Sequence, residues 1–108
     1  MMWHILEPDP STPGQYVSID YTDTLELALR SLRGWSMRLG RDDLALAKGK
    51  NGEALHYVVY FRRKDERPQP VSAHHTTLGA KRGYRKWGRA NWTDDVVEYG
   101  YDTVGHFW

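Results

Sequence analysis

His74 and His75 are the residues of this sequence that invite a catalytic reading. With Asn91 and His106 downstream they suggest a metal-dependent nuclease, in which one imidazole is the base and others help hold the ion. The order of the chain argues against it. A His-Asn-His nuclease needs a ββα unit to bring base and ligands together, whereas the residues after Asn91 read as strand. Adjacent histidines on a strand also point to opposite faces. Asp94, Asp95 and Glu98 carry oxygens that suit Mg²⁺, but Asp94 after Thr93 fits a turn as well. No Gly-rich phosphate loop, nucleophile elbow or zinc-protease helix is present. The absence of cysteine excludes disulfides, Cys-based zinc sites and thiol catalysis. The expectation is a protein that is not an enzyme and carries no cofactor and no metal.

A second kind of chemistry is concentrated between Ala80 and Trp92. Lys81, Arg82, Arg85, Lys86 and Arg89 fall there with no acid among them, and Tyr84, Trp87 and Trp92 are interleaved. Cations grip phosphate oxygens, and flat rings stack on bases. The same pattern also describes a solvated basic face whose rings pack inward. Arg62 and Arg63, with Lys64 and Arg67, form a smaller cluster that either joins this surface or decorates a loop. The candidate binding residues are therefore Lys81, Arg82, Tyr84, Arg85, Lys86, Trp87, Arg89, Trp92, Arg62 and Arg63.

The distribution of charge sharpens the point. The formal net charge is only +1 over 108 residues. Residues 1–60 hold six basic and eight acidic side chains, residues 61–92 nine and two, and residues 93–108 none and four. A basic segment is thus followed by an acidic one, which on the simplest electrostatic reading folds back to neutralise it. The composition, 40% hydrophobic and 27% charged, belongs to a folded domain. Five Trp and seven Tyr exceed what so small a core needs, and surplus aromatics favour binding surfaces.

The elements that must position these residues follow from periodicity. Met2 to Leu6 and Gln15 to Ile19 read as an antiparallel pair around a turn rich in Pro and Gly. Asp23 and Glu26 have capping-box spacing, and Leu25, Ala28, Leu29 and Leu32 make one helical face, which predicts a helix over 24–33 ended by Gly34. Trp35, Met37 and Leu39 then alternate with polar residues as a strand. Continuing the helix through Gly34 instead would cost about 1 kcal/mol. Leu44 to Lys48 and Ala54 to Arg62 form two more strands, joined by a hairpin at Asn51-Gly52. Gly79, Gly83 and Gly88 argue against a regular helix in the basic segment, and Val96 to Tyr101 reads as a strand that Thr103 to Trp108 extends or pairs with. Leu25, Leu29 and Leu32 should meet Val17, Ile19, Met37, Leu46 and Val58 in the core. No repeat is visible. The expected fold is α+β: an antiparallel sheet of about five to six strands with one α-helix across a face. Its order is ββαβββ, then an irregular basic segment and one or more C-terminal strands. One domain covers 1–108, divided into a core (1–63), a basic aromatic segment (64–92) and an acidic strand region (93–108).

The first third resembles HicB-type antitoxins. Ile5-Leu6-Glu7-Pro8-Asp9, a Gly-containing turn, Tyr16-Val17-Ser18-Ile19 and Asp23-Thr24-Leu25-Glu26-Leu27-Ala28-Leu29 carry the resemblance. It implies a small α+β domain that binds and neutralises a toxin ribonuclease, in many cases with a DNA-binding tail. The Asp-Leu-Pro-Gly segment of that family is missing here, and no helix-turn-helix or ribbon-helix-helix pattern follows. Together these features predict a small non-catalytic binding protein, a regulator or inhibitor of the kind carried by phages, plasmids and toxin-antitoxin loci. Its partner would be a protein that handles nucleic acid. Direct nucleic-acid binding is the alternative, and a His-dependent metal nuclease a remote one. No apolar run suits a membrane span and Met1 to Pro10 does not read as a secretory signal, so the expected location is the cytoplasm.

Overall fold

The structure, a computed structural model, describes residues 2–49, 52–91 and 93–107, with residues 89–91 described by their backbone. It is α+β, as expected, but contains two sheets and two helices. The elements in order are β1 (Trp3–Pro8), β2 (Tyr16–Thr22), α1 (Leu25–Leu39), β3 (Ala45–Lys48), β4 (Tyr57–Arg63), β5 (Gln69–His74), α2 (Thr77–Asn91) and β6 (Val96–Thr103). One sheet has the strand order β2-β1-β3 and the other β5-β4-β6, all pairs antiparallel.

This arrangement is a ββαβ unit laid down twice, a repeat that the sequence conceals. In each unit the first strand is central and both helices have 15 residues. Thr24 Oγ1 accepts from Leu27 N at one helix start and Thr76 Oγ1 from Gly79 N at the other. The first hairpin has a register shift between Ile5 and Leu6, and the second has one at the corresponding place, between Val59 and Tyr60.

α1 begins where its face of Leu25, Ala28, Leu29 and Leu32 predicts, with Thr24 rather than Asp23 as the capping residue. It then continues through Gly34 to Leu39 and stops at Gly40, which adopts φ 64°. The expected Trp35–Leu39 strand does not form. Trp35 stays in phase with Leu32 on the buried face and donates its indole N–H to Asp20 Oδ2 at 3.0 Å. That packing and hydrogen bond offset the small intrinsic cost of one glycine. Met37 consequently points outward at 73% exposure, and Val17 is 42% exposed on β2, so neither joins the core as expected.

Leu29, Leu32, Leu46 and Val58 are buried together, with Leu25 and Ile19 packed against them. The core draws on both sheets: Ile5 and Leu46 come from the first, Val58 and Ala73 from the second, and α1 touches both sets. The single expected sheet is divided because β3 pairs with β1, Trp3 opposite Lys48, and among the described residues its backbone pairs with the next unit only at a Leu46–Leu55 bridge. The expected Asn51-Gly52 hairpin turn lies partly outside the described residues. Residues 64–92 are not irregular either: they contain β5 and α2. Residues after Thr103 turn rather than extend the sheet, and Val104 and Phe107 enter the core. Among the described residues no helix is long and apolar enough to cross a membrane.

Candidate binding face on the second helix

α2 forms in spite of its glycines because its other residues are strongly partitioned. Ala80, Tyr84 and Trp87 recur at i, i+4 and i+7, while Lys81, Arg82, Arg85 and Lys86 occupy the opposite side. Ala80 is fully buried, and all four cations are exposed. Gly83 and Gly88 lie on the buried side. A Cβ at Gly83 would come within 2.6 Å of His74 Nε2, and one at Gly88 within 2.5 Å of the Tyr99 ring. These glycines therefore let the helix approach the sheet. Glycines at positions 79 and 83, one turn apart, were the available signal of close helix packing.

The rings complete that contact. Trp87 stacks on Phe61 with centroids 4.8 Å apart and an interplanar angle of 11°. Tyr84 stacks on Tyr99 at 4.4 Å and meets Tyr101 edge-on at 6.4 Å. The second sheet is thereby covered twice: Val58 and Ala73 face the α1 core, and the alternate residues Phe61, Tyr99 and Tyr101 face α2. Tyr84 and Trp87 are thus turned inward, while Lys81, Arg82, Arg85 and Lys86 make one outward stripe that contains Leu78, 57% exposed. None of these four cations has an ion pair among the described residues. The side chain of Arg89 and the whole of Trp92 lie outside the described residues.

Acids in β6 and just before it neutralise different cations. Arg62 Nε lies 3.6 Å from Glu98 Oε2, and Arg63 Nε lies 3.0 Å from Asp95 Oδ2. The Arg63 guanidinium also sits 4.8 Å over the Phe61 ring. Asp95 accepts a short hydrogen bond from the Thr93 hydroxyl, which with Arg63 holds its carboxyl below the ordinary value of 3.8. Arg62 and Arg63 alternate across β4, so only Arg63 shares the sheet face that α2 covers.

The nuclease candidates His74, His75 and His106 do not converge, and His75 instead neighbours His56 with ring centroids 6.3 Å apart. His74 faces α2 and shares a 2.7 Å hydrogen bond with Ser72. His75 lies 3.0 Å from the Ala54 carbonyl, and His106 is bonded to Thr103 at 2.9 Å. Among the described residues no group of three or more His, Asp or Glu is placed to hold a metal. An open cavity of about 600 Å³ between the two units is lined by Leu6, Tyr16, Ala54, His56 and His75.

One polar cluster has almost no signature in the sequence. The Asp20 carboxylate accepts from Ser31 Oγ at 2.6 Å, Trp35 Nε1 at 3.0 Å and Tyr21 N at 2.9 Å. The Ser31 and Trp35 bonds, in that order, lower its pKa. It borders a cavity of about 260 Å³ with Ser31, Gly34, Trp35 and Arg38. Nothing in the sequence links Asp20 to α1 except the helical spacing of Ser31 and Trp35. Comparison of the chain with protein-family models, curated proteins and solved structures finds no match.

Proposed function

We infer that this chain is a small non-catalytic binding protein, a regulator or inhibitor, which docks through the outer face of α2 on a partner protein that itself handles nucleic acid. One observation supports this reading above others: the four exposed cations of α2 lack acidic partners among the described residues, while the neighbouring rings are packed inward. A face of charge without exposed rings suits carboxylates and phosphates. It does not suit unstacked bases, which need an aromatic platform. Proteins that hold nucleic acid offer acidic rims or bound phosphates to such a face. Leu78 within the stripe gives it the apolar contact that protein interfaces use. The HicB-like features of the first third add to a docking role of the antitoxin or anti-defence type.

The test is a triple reversal, Arg82→Glu, Arg85→Glu and Lys86→Glu. Wild type used as bait should capture a nucleic-acid-handling protein from cells of the source, and the triple variant should not, at unchanged Tm. Equal capture by both would overturn the reading. Direct binding to a duplex is the second reading, favoured by the i, i+1, i+4, i+5 spacing of the cations. It requires that labelled duplex bind at low salt, with log K falling against log salt by about 0.9 for each phosphate contacted. Absence of such binding excludes it.

A further inference from the structure

Gly34 has no internal reason to be glycine. It lies in the middle of α1 with helical dihedrals, and a Cβ there would meet nothing within 4 Å. Gly83 and Gly88 of α2 differ, since each accommodates a side chain of the adjacent sheet. Glycine in a helix interior is unfavourable relative to alanine. A position that forgoes a side chain without internal need is one where something outside can approach the backbone.

The residues around Gly34 say what that is. Leu27, Arg30, Gly34, Met37 and Arg38 share the outer stripe of α1. Leu27 is 46% and Met37 73% exposed, and both flank the glycine along the helix. Between Leu27 and Gly40 the helix carries three arginines and no acid. Their positions are set by the chain itself. Arg30 bonds Glu26 at 3.2 Å, Arg33 donates to the Gly105 carbonyl at 3.3 Å, and Arg38 lies 4.8 Å over the Trp35 ring with no acidic partner among the described residues. Beside Gly34 the cavity bounded by Asp20, Ser31, Trp35 and Arg38 is open to receive one side chain.

We propose that the outer face of α1 is a second docking surface, distinct from α2, which takes an acidic amphipathic helix of a partner protein crossing at Gly34. Apolar residues of that helix meet Leu27 and Met37, and its carboxylates meet Arg38 first and then Arg30, which keeps Glu26 as a partner within the helix. Met and Arg are the residue types enriched at such interfaces. A second copy of this chain fits less well, because pairing two α1 faces would bring like charges together.

The probe is a synthetic helical peptide with Leu and Ala along one face and Glu over the rest, titrated into the isotope-labelled protein at low salt. Amide shifts should saturate and centre on Leu27, Gly34 and Arg38. Gly34→Leu and Arg38→Glu should each weaken binding by about tenfold or more, and the α2 triple reversal should leave it unchanged, which separates this surface from the function inferred above. Gly34→Ala should raise Tm by about 4–8 °C. A fall in Tm would show an internal role for the glycine and overturn the proposal. So would an absence of saturable shifts, shifts centred on Lys81 to Lys86, or a dimer formed through α1.

Discussion

Trp87 lies nearly parallel to Phe61 and tilted against Tyr99, 5.6 Å away, so its ring is part of the packing between α2 and the second sheet. Trp87→Ala should therefore lower stability by up to about 3 kcal/mol, the low end for a large buried ring because this one is half-buried. Chemical denaturation measures it, and an unchanged midpoint would return Trp87 to the binding surface. His74 and His56 give stability a pH dependence. Burial lowers the pKa of both below the ordinary 6.5, helped by Lys48 at His74 and by His75 at His56. A depressed imidazole pKa means that the unfolded chain takes up protons first as pH falls. Stability from these groups is complete above about pH 6.5 and is lost as pH drops through that value toward the folded pKa values. Tm should be level near pH 8 and decline between about pH 7 and 5. His74→Asn should flatten part of the decline. A Tm that rises over that interval would contradict the account. Asp20 and Asp43, whose pKa values are lowered by Ser31 and by Arg41 respectively, add a second loss only below about pH 4.

The two helices show why some elements were legible and others were not. The start of α1 could be read because Thr24, Leu25, Ala28, Leu29 and Leu32 agree on cap and face. Its end is not legible in the sequence, because Gly34 carries a local cost whereas the Trp35–Asp20 hydrogen bond that offsets it is tertiary. In α2 the opposition of Ala80, Tyr84 and Trp87 to Lys81, Arg82, Arg85 and Lys86 was present in the sequence, but three glycines masked it. The cations of the candidate face could therefore be named in advance. The direction of the rings could not, since it depends on Phe61 and Tyr99 in other strands. The strands from Trp3, Tyr16, Ala45 and Val96 followed from alternation and turn residues. Their partition into two sheets did not, because the pairing of Trp3 with Lys48 is long-range. The two kinds of helical glycine yield a direct test. Gly88→Ala gains helix propensity but drives a methyl group into Tyr99. Overpacking of that kind costs about 1–3 kcal/mol and should exceed the gain. Gly88→Ala is thus expected to melt below wild type by differential scanning calorimetry, whereas Gly34→Ala melts above it.

At the scale of the molecule, the repeat raises the question of whether two ββαβ units are two folding units. Each has its own three-stranded sheet, and among the described residues the backbones of the two units pair only at the isolated Leu46–Leu55 bridge. Side chains answer differently from hydrogen bonds. The apolar face of α1, an element of the first unit, packs at once on Ile5 and Leu46 of its own sheet and on Val58 and Ala73 of the other. Phe107 from the end of the second unit joins the same cluster and meets the Tyr60 ring edge-on at 5.5 Å. Unfolding the second unit alone would expose Leu29 and Leu32, and unfolding the first alone would uncover Val58 and Ala73. Neither unit keeps a closed core by itself, so intermediates with one unit folded should be unpopulated. Urea unfolding is expected to be a single transition, with far-UV circular dichroism and tryptophan fluorescence coincident, the latter including Trp3 in one unit and Trp87 in the other. Leu32→Ala, in the first unit, and Val58→Ala, in the second, should each shift that one midpoint without splitting it. Leu32→Ala should cost about 2–5 kcal/mol, and its slope with urea should match wild type. Separate midpoints for the two probes, or a Val58→Ala variant that loses only part of the amplitude early, would mean that the units fold independently and that α1 belongs to one of them.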